Sequence, residues 1–142
     1  MKILEVLTRN REIGNLGEKR AARHLWLRGY KILRRNYVAV GNEIDIIAIK
    51  GDTLVFCEVK TRNLNSIGRK EPRAASAVTR EKQRKILAVA NHFKGFEYKG
   101  KRMRFDVIEV YYENKNGRDK ITKINHMIGA FDYDTAYGMP QR

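Results

Sequence analysis

The sequence contains one cysteine, two prolines and one tryptophan, and its 16 acidic residues face 30 lysines and arginines. A lone Cys57 excludes an intramolecular disulfide, and no Cys/His cluster has the spacing of a structural zinc site, which fits a reducing compartment. No run approaches the roughly 18 apolar residues that a membrane-spanning helix needs. The apolar opening Met1 to Leu7 is broken by Lys2 and Glu5 and runs into Thr8-Arg9-Asn10-Arg11. It is too short for a signal peptide and lacks a small-residue cleavage site, so the expectation is a soluble, cytoplasmic protein without a membrane partner.

What is present is a foldable composition: 42% hydrophobic residues in 142, with no low-complexity tract. A chain of this length forms one domain and buries roughly two thirds of the surface its unfolded chain exposes. The expected boundaries are a domain over 1–131 and a flexible tail over 132–142. The formal net charge of +14 points to a polyanionic partner, because each Lys or Arg near a phosphate releases condensed counterions.

Periodicity predicts an amphipathic helix over about 11–28, with Ile13, Leu16, Ala21 and Leu25 on its apolar side and Gly29 as its stop. Trp26 is assigned to the core. Strands follow over 30–38, 43–49 and 53–60, the last two rich in β-branched residues. Residues 61–72 read as a loop, 76–93 as a second helix ended by Gly95, and 104–112 and 121–128 as further strands separated by an Asn116-Gly117 turn. The order α-β-β-β-α-β-β defines an α/β (α+β) single domain. Strand 104–112 or the last strand offers an edge where two copies could meet, so a homodimer is a candidate partner state.

If Gly51-Asp52 closes the second and third strands as a type II′ hairpin, residues whose numbers sum to 103 pair. Asp45 then faces Glu58, Ile47 faces Phe56, Ile49 faces Leu54 and Glu43 faces Lys60, all on one side of the sheet. Opposed residues have Cβ atoms about 5 Å apart, where two carboxylates repel by roughly 3 kcal/mol at an effective dielectric near 20. One lysine does not balance them. A divalent cation does, since Mg²⁺ takes one or two carboxylates and fills its other positions with water and phosphate oxygens. Acidic residues on a solvated hairpin face would need no such explanation, but Ile47, Ile49, Leu54 and Phe56 mark this face as covered. Asp45 and Glu58 with Mg²⁺ or Mn²⁺, and the Lys60 ammonium, constitute the parts for phosphodiester hydrolysis.

Gly17-Glu18 followed by Ala21 and Ala22, Gly29-Tyr30, Arg35-Asn36, Glu43 to Ala48, Phe56-Cys57-Glu58-Val59-Lys60-Thr61-Arg62, Lys82 and Arg104-Phe105-Asp106-Val107 occur in an order that resembles the YraN family of endonuclease-like proteins. That resemblance runs from about residue 12 to 112. The family is similar to archaeal Holliday junction resolvases and belongs with the PD-(D/E)xK nucleases. It implies a restriction-endonuclease-like mixed sheet flanked by helices, acting on branched or structured DNA. It also implies that Asp45 and Glu58 are the metal-binding carboxylates, Val59 supplies a carbonyl ligand, Lys60 is the catalytic lysine and Glu18 comes to the site from the first helix.

Beside these, Glu43 reads as a partner of Lys60, His24, His92 and His126 as scattered structural or surface residues, and Cys57 as a buried small hydrophobe opposite Glu58. Arg62, Arg69, Lys70, Arg80 and Lys82 could form a positive rim that grips phosphates without reading sequence, with DNA expected ahead of RNA. The leading reading is a metal-dependent DNA endonuclease. The alternative is a non-catalytic nucleic-acid-binding protein with the same fold.

Overall fold

A computed structural model describes residues 2–67 and 78–138. Its elements are α1 (Ile3–Leu27), β1 (Lys31–Ala39), β2 (Asn42–Lys50), β3 (Thr53–Asn63), α2 (Leu64–Ile67), α3 (Arg80–Lys94), β4 (Arg102–Lys115), β5 (Arg118–Phe131) and α4 (Tyr133–Ala136). The expected order is present, with the short helices α2 and α4 added. The five strands form one mixed sheet in sequence order, parallel only between β3 and β4 and antiparallel elsewhere. Because β4 pairs on both sides, the exposed edges are β1 and β5, and of the two expected edges only the last strand is one.

Each face of the sheet carries its own core. Ile47, Leu54, Phe56, Phe105 and Val107 pack with Ile86, Val89 and Ala90 of α3, whereas Ile46, Ala48, Val55, Cys57 and Ile108 pack with Ala21 and Leu25 of α1. Burial on both faces explains why β2 and β3 read as nearly continuous apolar runs. Cys57 lies opposite Glu58, as its position in the alternation requires.

Helix α1 begins at Ile3, eight residues before the periodicity starts, and Ile3, Leu4 and Leu7 remain exposed there. Its buried stripe is Ile13, Gly17, Ala21 and Leu25. That i, i+4 row corrects two expectations, since Leu16 is exposed and Trp26, about 100° around the axis from Leu25, is 67% exposed rather than core. The helix ends in a Schellman turn in which the Tyr30 and Gly29 amides donate to the Leu25 and Trp26 carbonyls, with Gly29 at φ +87°. α3 starts at Thr79, whose hydroxyl accepts from the Lys82 amide; residues 76 and 77 of its expected start lie outside the described residues.

The chain does not end its packing at 131. Asp132 caps α4, Ala136 is buried, and Arg84 of α3 donates to the Ala136 carbonyl at 2.9 Å. The segment through Gly138 is therefore a capped turn on α3, where the sequence suggests a loose tail; the rest of that tail lies outside the described residues.

The histidines are not all scattered. Asp106, fully buried, accepts two bonds from Arg104 at 2.9 and 2.8 Å and one from the Gly129 amide at 3.0 Å, and lies 2.8 Å from His126 Nε2. Arg104 also donates to the Tyr30 hydroxyl at 2.6 Å, and His24 Nε2 lies 3.2 Å from His126 Nδ1. Burial tends to raise the Asp106 pKa, but the His126 and Arg104 hydrogen bonds outweigh it and hold the carboxyl below its usual range. Burial, with Arg28 and His126 nearby, lowers His24 to about 4, so His24 is neutral at physiological pH and one proton lies between its Nε2 and His126 Nδ1. The network ties the end of α1 to β4 and β5.

Two stability outcomes follow. Gly17 lies against β3, where an added Cβ would overlap the Thr61 hydroxyl and crowd its Cβ and methyl, whereas nothing lies within 4 Å of one added at Gly14. Gly17→Ala should therefore lower the melting temperature by several degrees despite better helix propensity, while Gly14→Ala should stabilise by up to about 1 kcal/mol. Thermal melts that moved the two variants the same way would contradict this packing. Asp106→Ala removes the buried acceptor shared by the half-buried Arg104, His126 and the Gly129 amide and should cost about 1–3 kcal/mol in denaturant unfolding; a loss below about 0.5 kcal/mol would show the network to be dispensable.

Candidate metal and phosphodiester site

The site forms where β2 parts from β3. Gly51 has φ +61° and Asp52 does not have positive φ, the pattern of a type II′ turn, and the pairs Ile49↔Leu54, Ile47↔Phe56 and Ile46↔Cys57 have the expected register. The ladder stops at Ile46, just before Asp45. There the side-chain alternation also breaks, for Ile44 joins Ile47 in the α3-side core while Ile46 joins the α1-side core. Asp45 takes over the missing bond, its Oδ2 accepting from the Val59 amide at 2.8 Å. The carboxylate thus replaces a strand partner and is fixed beside Glu58.

Glu58 is 8% exposed, and its Oε1 lies 3.6 Å from Lys60 Nζ. Burial pushes Glu58 up to about 7, with the Asp45 charge adding to the rise and Lys82 and Lys60 opposing it. Asp45 is raised too, first by burial and also by Glu43, against the Val59 amide, Lys82 and a hydrogen bond with Glu58. Two adjacent carboxyls that both resist ionisation are a concentration of negative charge that the fold only partly neutralises. Lys82, placed on the first turn of α3 by the Thr79 cap, is the cation that sequence pairing alone could not put here.

Glu18 stands half-buried on α1, with Arg35 Nη2 3.9 Å away. With its amide nitrogen turned inward, Asn36 donates to Glu18 at 2.9 Å and to Glu43 at 3.1 Å. Burial raises the Glu18 pKa, followed by the charge on Asp45, so the α1 carboxylate does come near the strand pair. Glu43 differs from expectation: the ladder ends before it, and it shares Asn36 with Glu18, while Lys60 has Glu58 as its ion-pair partner. Glu18, Val59 and Lys60 line a cleft of about 310 Å³ closed by Ile13, Gly14, Thr61 and Tyr112. Neither Asp45 nor Glu58 lines this cleft, nor the more apolar hollow of about 420 Å³ bounded by Leu87, Phe105, Phe131 and Tyr133.

The expected basic rim is divided. Arg62 Nε donates to the fully buried Glu109 at 3.0 Å, which commits its charge to the fold. Arg80 is exposed beside Gly138, and Lys82 faces the carboxylates. Arg69 and Lys70 lie outside the described residues.

Among the described residues no three Asp, Glu, His or Cys side chains converge as a ready ligand set. The donors fit an oxygen-seeking ion that keeps several waters, of the Mg²⁺ or Mn²⁺ type, with Asp45, Glu58 and the Val59 carbonyl as the residues able to hold it. They do not fit a structural zinc.

The class defined here is an α+β domain whose mixed sheet, covered by a helix on each face, presents an Asp on one strand and a Glu-x-Lys on the next. The model of the Uncharacterised protein family UPF0102 matches residues 17–110, and the chain belongs to that family, the YraN family of the resemblance. It is 42% identical over 122 residues to the UPF0102 protein of Caldicellulosiruptor saccharolyticus, covering 85% of this chain and 98% of that one. It is 44% identical over 121 residues to a UPF0102 protein of Chlorobaculum tepidum, covering 84% and 91% respectively. No helix among the described residues is long and apolar enough to cross a membrane.

The Glu58 environment has a consequence for stability. The folded protein keeps the Glu58 proton up to about pH 7, whereas the unfolded chain releases it near 4.5, so this group favours the fold at low pH and opposes it as pH rises through that window. In metal-free melts Glu58→Gln should gain on the wild type between pH 5 and pH 8, by on the order of 1–3 kcal/mol at the upper end. An unchanged difference between the two pH values would rule the strained carboxyl out.

Proposed function

We propose that this protein is a divalent-metal-dependent endonuclease that hydrolyses phosphodiester bonds in DNA in the cytoplasm, with branched or otherwise structured DNA as its substrate class. The observation that carries the reading is the pairing of half-buried Asp45 with buried Glu58, whose charge is incompletely balanced by Lys60 and Lys82. Mg²⁺ or Mn²⁺ bound there supplies Lewis-acid polarisation of the scissile phosphate. Asp45 and Glu58, with the Val59 carbonyl, would hold the ion. Lys60 places its ammonium where negative charge develops on the phosphoryl oxygens or where an attacking water must be held. Glu18, bridged by Asn36, completes the acidic wall from α1. Lys82 and Arg80 attract the DNA backbone, aided by the net charge of +14. Symmetric cutting of a junction calls for a two-fold dimer, for which the β5 edge is the proposed meeting place.

A second reading is a binding protein that keeps this fold without turnover. Among the described residues no three Asp, Glu, His or Cys side chains are arranged as a metal-ligand set, which favours it.

Labelled linear, flapped, four-way-junction and single-stranded DNA, together with RNA, separate the two. The nuclease reading expects cutting that requires Mg²⁺ or Mn²⁺, disappears in Glu58→Gln and falls roughly 100-fold or more in Lys60→Ala. Salt-sensitive binding with no metal-stimulated cutting by any form of the protein would establish the second reading instead.

A further inference from the structure

We infer that Trp26 is a stacking platform for an unpaired nucleobase, which makes DNA with a single-stranded segment the substrate class of the neighbouring site. This rests on the nucleic-acid reading above. A single exposed apolar side chain needs no explanation by itself, but Trp26 is accompanied by a shaped and charged surrounding. With Gly29, Tyr30, Lys31 and Ile32 it lines a hollow of about 430 Å³. Gly29 leaves that hollow open, because a side chain there would meet only the Lys50 stem, at 3.9 Å. Lys50 extends its ammonium over the Tyr30 ring, 4.8 Å from the centroid, and Lys31 and Arg23 are both exposed, Arg23 one turn before Trp26. None of the lining residues is acidic.

An exposed π-face among cations is the arrangement that holds single strands, since stacking accepts any base and the cations follow the phosphates. A base inside a duplex has both faces covered by its neighbours and cannot use such a ring. Trp26 also lies on the helix that carries Glu18, eight residues further along, or about 12 Å by helical rise and about 80° around the axis. That axial rise puts the ring within a few nucleotides' reach of Glu18 at the proposed site.

Trp26 is the only tryptophan, so its emission reports on this surface alone. The full chain carrying Glu58→Gln, which silences the proposed cleavage, is titrated at low salt with a 20-nucleotide single strand and with the same sequence as a duplex. Quenching by the single strand well beyond that by the duplex is expected. Trp26→Leu should bind the single strand roughly 5- to 150-fold more weakly while duplex binding and the melting temperature stay near wild type, and Trp26→Phe should restore much of the loss. Single-strand binding with unquenched emission and no loss in Trp26→Leu overturns the platform even if metal-dependent cleavage is found, which leaves the nuclease reading standing. Absence of binding to any nucleic acid overturns both. If Trp26→Leu instead converts a dimer to a monomer in sedimentation, the surface is a protein interface and the platform is refuted.

Discussion

The register of β2 against β3 is the constraint on which the site depends. A two-residue turn leaves the strands no freedom to slide, and a slip by one residue would move Asp45 and Glu58 to opposite faces. Held in register, the pair is a local liability, with two carboxyls that burial and a neighbouring carboxylate's charge both make harder to ionise. The fold supports it through the Val59 amide, which occupies Asp45, and through two lysines delivered from different elements, Lys60 along the same strand and Lys82 from α3.

The rest of the architecture holds that strand pair rigid. β3 lies at the centre of the sheet, with α1 and α3 on opposite faces, so neither face can yield without disturbing a core. Gly17 allows α1 to approach Thr61 closely enough that the next residue, Glu18, comes near the carboxylates. At the far end of α1 the Asp106 network binds the same helix to β4 and β5. The helix is thereby fixed at both ends of its buried stripe, with the cleft of Glu18 and Lys60 beside the first and Trp26 close to the second.

Much of this was legible in the chain because the decisive signals are local. The Gly51-Asp52 turn and the apolar alternation beside it specify the pairing of β2 and β3, and hence the neighbourhood of Asp45, Glu58 and Lys60. The phase of α1 was harder, because its buried row runs through Gly17, which carries no hydropathy, while Leu16 and Trp26 advertise burial they do not have. Glu43 could not be placed because the ladder ends at Ile46, a departure caused by Asp45 itself taking the Val59 amide. His24 and His126 are 102 residues apart and meet only through the sheet order, so no spacing rule joins them to Asp106. The commitment of Arg62 to Glu109 is equally non-local, and a basic residue after a Glu-x-Lys strand looks the same whether it faces phosphate or a buried carboxylate.

The single parallel pairing in the sheet has a kinetic consequence. β1, β2 and β3 form a meander whose contacts are close in sequence, and that meander already sets Asp45 beside Glu58. Joining β3 to β4 requires the chain to travel through α3 and back, a slow closure compared with hairpin formation, and Lys82 arrives only with that crossover. Lys60 is thus beside Glu58 from the start, and Lys82 is added with the crossover. The crossover that docks α3 therefore completes the core on that face of the sheet and brings Lys82 toward the carboxylates in the same event.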